Sequence, residues 1–241
     1  MKKLFFYILV AATFLSCGTS EPKNGEELVN SMYEKYKNDW YKTLTFEQAT
    51  IYYNQEGKIA REQTWFEAMK LPSSLAIKFD SITSGTGILF KNDSVINLRG
   101  GLKVAARKFH HPLLILGFSV YAQSPEKTIK GLKALNIDLS KIKTVDWQGK
   151  KNYVVGDENG SQFYIEKERL LFTKMTQKIA NNSVSETQFN KYQPLQNGWI
   201  SPEVLFFTNG KMTMKEVYSD IKTPELDDVI FDENQFLKAK W

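Results

Sequence analysis

From Thr45 onward, apolar side chains recur at every second position, in short runs separated by Asn, Asp, Gly and Pro. A period of two is that of a strand with one buried face, and short strands at regular spacing belong to an antiparallel sheet or barrel. The first series comprises residues 46–53, 59–69, 75–79, 87–91 and 95–98. Asn54-Gln55-Glu56-Gly57, Leu71-Pro72-Ser73-Ser74, Asn92-Asp93 and Gly100-Gly101 punctuate it. A second series covers 145–147, 152–155, 162–166, 170–178, 184–192, 199–208 and 211–218. Its last two members meet at Asn209-Gly210, the strongest hairpin signal in the chain. The expectation is a mainly β (α+β) fold of about eleven strands. Two helical segments interrupt it. Residues 26–38 have Asn24 as a cap, Glu26 and Glu27 in the first turn, and Leu28, Met32 and Tyr36 on one face. Between the series, Pro112-Leu-Leu-Ile-Leu-Gly-Phe118 is continuously apolar, and Ser124-Pro125-Glu126 reads as the start of a helix reaching Leu135.

The N-terminus has a different character. Lys2 and Lys3 precede an apolar run from Leu4 to Leu15, too short to span a bilayer, and Ser16 then precedes Cys17, the single cysteine. This pattern resembles a bacterial lipoprotein signal, with residues 1–16 removed and Cys17 lipidated as the anchor. Phe14 and Leu15 make its lipobox a loose one. Residues 17–25, small and polar with Pro22 and Gly25, read as a tether. With Cys17 used for the anchor, neither a disulfide nor a cysteine metal site is available. The 32 Lys and Arg against 27 Asp and Glu are interspersed, which gives no footprint for nucleic acid.

Catalytic chemistry finds little support. The only histidines, His110 and His111, are adjacent, so extended backbone points them to opposite faces, and zinc-ligand spacings are missing. They read as a polar turn ahead of an apolar segment. Ser84-Gly85-Thr86-Gly87 precedes a strand rather than a helix and reads as a turn, not a phosphate cradle. Glu166 and Glu168, like Asp227 and Asp228, read as solvated charge. The chain is therefore expected to be neither an enzyme nor a cofactor protein. The run 113–118 is either core or a lid over an apolar cavity, and Met175, Met212 and Met214 suit an adaptable lining as well as an ordinary core.

The order of elements and several local stretches resemble the outer-membrane lipoprotein-carrier superfamily of LolA/LolB-like half-open barrels. The similar segments span 26–236: the helix Glu-Leu-Val-Asn-Ser-Met-Tyr-Glu-Lys-Tyr, Phe46-Glu47-Gln48, Met69-Lys70-Leu71-Pro72, Gln162-Phe163-Tyr164-Ile165-Glu166, and Leu226 to Phe231. The resemblance implies one half-barrel domain over 26–241, a strongly curved antiparallel sheet with an apolar concave face closed by a helical lid. It also implies acyl-chain carriage without chemistry. Leu71 stands where the soluble carriers have the arginine that holds their lid closed. This departure, with the anchor, implies a fixed acceptor or lipid-binding lipoprotein of the cell envelope, at the outer membrane facing the periplasm. Strand alternation selects Trp65, Leu75, Ile77, Phe79, Ile88, Phe90, Leu113, Leu116, Trp147, Phe163, Ile165, Met175, Met212 and Met214 as its lipid-binding cavity. The partners are acyl chains of lipids or lipoproteins. The alternative is an envelope lipoprotein with a filled interior that grips a protein partner.

Overall fold

A computed structural model describes residues 21–241. Cys17, the expected signal segment and most of the tether lie outside the described residues. Helix α1 (Gly25–Tyr36) opens the fold, capped by Asn24, whose side chain accepts from the Glu27 N–H at 2.9 Å. Six strands follow: β1 (Thr43–Tyr53), β2 (Ile59–Lys70), β3 (Ser74–Phe79), β4 (Gly87–Lys91), β5 (Ser94–Arg99) and β6 (Leu102–Lys108). The helical insert supplies α2 (Pro112–Gly117) and α3 (Pro125–Ala134). The second series is β7 (Ile142–Trp147), β8 (Lys150–Gly156), β9 (Gln162–Glu166), β10 (Leu171–Lys178), β11 (Val184–Asn190), β12 (Gln193–Leu195), β13 (Gly198–Ile200), β14 (Glu203–Thr208) and β15 (Lys211–Lys222).

Thirteen strands form one antiparallel, curved and unclosed sheet, and β12 pairs only with β13. The chain runs outward from β1 to β6 at one edge, crosses by way of the helices to β7 at the other, and returns until β15 pairs with β1. The helical insert is thus the connection between the two open edges. Asn209 and Gly210, both at positive φ (50° and 74°), make the β14–β15 turn as their sequence demands.

Two differences from the sequence reading have clear causes. The count of about eleven is exceeded because β6 and the short β12–β13 hairpin were not legible. Every residue of β6 is exposed, with Leu102 74% and Val104 58% accessible, so no burial requirement shapes its sequence. The second is a core on the convex face, where the sequence suggested one buried face. Ala68, Ala76, Leu89 and Leu98 point outward from β2–β5 and are covered by Ile230, Phe231, Phe236 and Ala239 of the C-terminal segment. Small residues on the strands leave room for that segment. A Cβ on Gly87 would stand 2.0 Å from the Ile77 carbonyl oxygen and 2.7 Å from the Phe236 ring.

Lys78 secures this outer layer. Its side chain is fully buried, and its ammonium donates to the Ile82 carbonyl at 3.0 Å and the Ala239 carbonyl at 2.6 Å, beneath the rings of Phe236 and Trp241. Lys78→Met removes the donor and leaves two carbonyls unpaired, a loss of about 1–3 kcal/mol. Its signature is early proteolytic trimming from the C-terminus while the concave core stays protected. Unaltered resistance of residues 232–241 would contradict this anchoring role.

Candidate functional site

The concave face holds the main core, and the core is not uniformly filled. At the β7–β11 end, α1 packs over the strands. Met32 and Leu28 join Val155, Phe163, Ile165, Leu171 and Phe172 in solid packing, tied by the Tyr121 hydroxyl accepting from the Phe172 N–H at 3.0 Å. Beside this packed region, β1–β4, β14 and β15, with Gln177 of β10 and Ser185, Thr187 and Phe189 of β11 on the far wall, curve around a cavity of about 390 Å³. That volume lies in the range of roughly 300–1,000 Å³ seen for small-molecule pockets.

Register explains which side chains reach it. On β2 the inward set is Trp65, Glu67 and Met69, paired across the sheet with Phe79, Ile77 and Leu75 of β3. Ile77 and Leu75 are in turn opposite Ile88 and Phe90 of β4. On the other flank Gln48 of β1 faces Tyr218 of β15, and Thr50 faces Glu216. Met214 lies opposite Phe206. The roof comes from α2 and its flanks: Phe109, His111, Pro112, Leu113, Leu114 and Phe118.

Seven of the fourteen side chains selected by alternation meet at this cavity: Trp65, Leu75, Ile77, Ile88, Phe90, Leu113 and Met214. The structure puts the other seven elsewhere. Phe79 shares the inward face but lies past the rim, its ring 5.1 Å from that of Trp65. Leu116 turns to the far side of α2 and is fully buried in core. Phe163, Ile165 and Met175 face inward in the filled half. Trp147 lies beside Tyr164, and Lys174 approaches both rings. Met212 is displaced by a bulge. The register shift between Phe206 and Phe207 places Met212 opposite Phe207, on the other face from Met214. The lid is also smaller than the insert. Only α2 covers this cavity, while α3 packs against α1.

Alternation could have revealed polar residues that the sequence reading passed over. Glu67 sits between inward-facing Trp65 and Met69, and Glu216 continues the run from Met214. Glu67 is 5% and Glu216 9% accessible. Tyr218 donates its hydroxyl to Glu216 Oε2 at 3.1 Å, and the Gln48 amide donates to Thr50 Oγ1 at 2.8 Å. Glu67 makes neither a hydrogen bond nor an ion pair among the described residues. Burial raises both carboxyls, Glu216 to about 7 and Glu67 well above its usual range, where the nearby Glu216 adds to the effect. His111 caps α2, its Nδ1 accepting from the Leu114 N–H at 3.2 Å, and burial lowers it to about 4, so it is neutral at pH 7. The histidine pair is therefore the turn its sequence suggested, with His111 also lining the cavity. No lysine or arginine lines it.

Of the acids read as solvated charge, Glu168, Asp227 and Asp228 are exposed, whereas Glu166 is not. Glu166 is only 1% accessible and is held by Arg169, whose Nε donates at 2.9 Å, and by Lys150 at 3.3 Å. It lies in the filled half of the sheet, away from the cavity.

No family model and no curated protein sequence matches the chain. Solved structures do. A DUF1329 family protein from Desulfovibrio piger aligns over 86% of this chain and 95% of its own, at 14% identity and a TM-score of 0.58. A LolA superfamily protein from Nitrosomonas europaea covers 85% and 97%, at 10% identity and a TM-score of 0.54. A putative outer membrane lipoprotein-sorting protein domain from Vibrio parahaemolyticus covers 89% and 98%, at 15% identity and a TM-score of 0.57. The fold is LolA-like. The likeness extends over nearly the whole of each compared chain. On this LolA-like sheet the cavity occupies the concave side beneath α2. Among the described residues, no helix is long and apolar enough to cross a membrane, and no cluster of three or more His, Cys, Asp or Glu could hold a metal.

Proposed function

We propose that this chain is a lipid- or lipoprotein-binding protein of the bacterial cell envelope, tethered to the outer membrane through a lipidated Cys17 and acting without catalysis. The observation that carries the reading is the 390 Å³ cavity, apolar over most of its wall and roofed by α2. Keeping one methylene out of water is worth roughly 0.8 kcal/mol, so an apolar cavity offsets much of what an alkyl chain loses on leaving a membrane. The similar Vibrio parahaemolyticus domain, described as a putative lipoprotein-sorting domain, supports acyl chains as the cargo. The N-terminal lysines, apolar run and single cysteine support the anchor. The reading of a filled scaffold that grips a protein partner loses ground, because its interior would lack such a space.

Uptake of the neutral apolar dye N-phenylnaphthylamine tests this. Saturable fluorescence enhancement is expected, together with alkyl ligands in native mass spectra of the gently purified protein. Ile88→Trp places an indole in the cavity and is expected to weaken the dye by about tenfold or more, at an overpacking cost of about 1–3 kcal/mol in stability. An absence of saturable uptake by the parent protein would refute the proposal.

A further inference from the structure

Glu67 stands apart on the cavity wall. It stands in the middle of an inward-facing run, almost wholly removed from solvent, against the cavity and without a partner among the described residues. Its carboxyl opens onto the cavity, so a molecule bound there supplies the partner that the protein does not. Glu216 lies on the same face two strands away, with β1 between them. The groups facing the two carboxyls are Gln48 and Thr50 from β1, Trp65 from β2 and Tyr218 from β15. Gln177, Ser185 and Thr187 line the far wall, and the lid offers only neutral His111. Two acids therefore share an apolar space with no cation of the protein's own.

We infer that the cavity selects an amphiphile whose polar end is a primary ammonium, held at Glu67, with Glu216 further along the same wall and the alkyl chain beneath α2. This inference rests on the acyl-chain reading above and adds the chemistry of the head. An ammonium brings three donors and no acceptor, and the pocket wall supplies acceptors in the carboxyls of Glu67 and Glu216. A carboxylate head meets like charge. A hydroxyl satisfies hydrogen bonding but leaves any ionised glutamate uncompensated in a low dielectric. Ammonium binding requires Glu67 to ionise, and burial favours its protonated form in the empty cavity. Capture therefore releases a proton, and affinity rises with pH.

The test compares dodecylamine, dodecan-1-ol and dodecanoic acid as competitors of N-phenylnaphthylamine on the purified chain, from about pH 5.5 to about pH 8. Dodecylamine is expected to bind about tenfold or more tighter than the alcohol at the upper pH, and to tighten about tenfold across the range. The alcohol is expected to stay level and the acid to weaken. Butylamine, the head without the tail, is expected not to compete, which separates an amphiphile from a free amine. Glu67→Gln is expected to bring the amine-to-alcohol ratio close to one. Alcohol binding as tight as amine binding, a flat amine profile, or an unchanged ratio in Glu67→Gln overturns the ammonium inference and leaves the acyl-chain reading standing. Failure of all three twelve-carbon probes overturns both.

Discussion

Arg169→Ala is expected to destabilise the protein by about 3–5 kcal/mol, the usual cost of removing one partner from a buried ion pair. Glu166 lies at the end of β9 with its carboxylate out of solvent. Burial by itself would raise its pKa; the Arg169 hydrogen bonds and charge outweigh that and hold it below the usual range. Without the guanidinium, only half-exposed Lys150 at 3.3 Å remains, so the loss should fall near the lower limit. The arginine also stacks over Trp199 at 4.6 Å, and its carbonyl accepts from the Tyr36 hydroxyl at 2.6 Å, so it joins α1 to the sheet end. Urea unfolding reads the effect directly. For a chain of this size the midpoint temperature should fall by roughly 10 °C. The Glu166→Gln/Arg169→Ala double variant should recover much of the loss, since no uncompensated charge stays buried. A single variant within about 1 kcal/mol of the parent would show that the pair is not a structural element.

Glu216→Gln is expected to change the pH dependence of stability rather than its value in acid. The carboxyl titrates at about 7 in the folded protein against an ordinary 4.5. Between those values the folded state holds a proton that the unfolded state has lost. Stability from this group is therefore fully present below about pH 4.5 and is lost as pH rises towards 7, a total on the order of 3 kcal/mol. Burial also raises Glu67, which adds a decline of the same sign. Glutamine has the same shape, still accepts from Tyr218 and cannot ionise. The variant should match the parent near pH 4.5 and exceed it by about 3 kcal/mol at pH 8. Denaturation midpoints at four or five pH values give the comparison, and parallel curves for variant and parent would disprove the buried-acid description.

How much of this was legible in the residues varies by element. Strands β4 and β9 match their sequence boundaries, because turn residues flank them and burial shapes their composition. Helix α1 ends two residues earlier than its pattern suggests, at Tyr36, where Lys37 closes the last turn. Strand β6 escaped notice because exposure on both faces leaves its side chains unconstrained. The site was half legible. Trp65, Leu75, Ile77, Ile88, Phe90 and Met214 follow from period two, and Leu113 from the apolar run of the insert. Phe163, Ile165 and Met175 obey the same alternation, yet they serve as core, since α1 fills the space above them. Met212 was misplaced by a single bulged residue, which inverts the facing of everything beyond it.

Alternation, punctuation and two helical interruptions are local properties, so the chain itself determined a mainly β, antiparallel sheet with an N-terminal helix and an inserted helical segment. Curvature, the placement of α1 and α2 over different parts of the concave face, and the covering of the convex face by the C-terminal segment are non-local. Only the tertiary structure decided them, and with them which half of an equally apolar concave wall is filled and which is left open around Glu67 and Glu216. The physical reason is that alternation records which side of a strand is dry, whereas a cavity depends on what packs against that side.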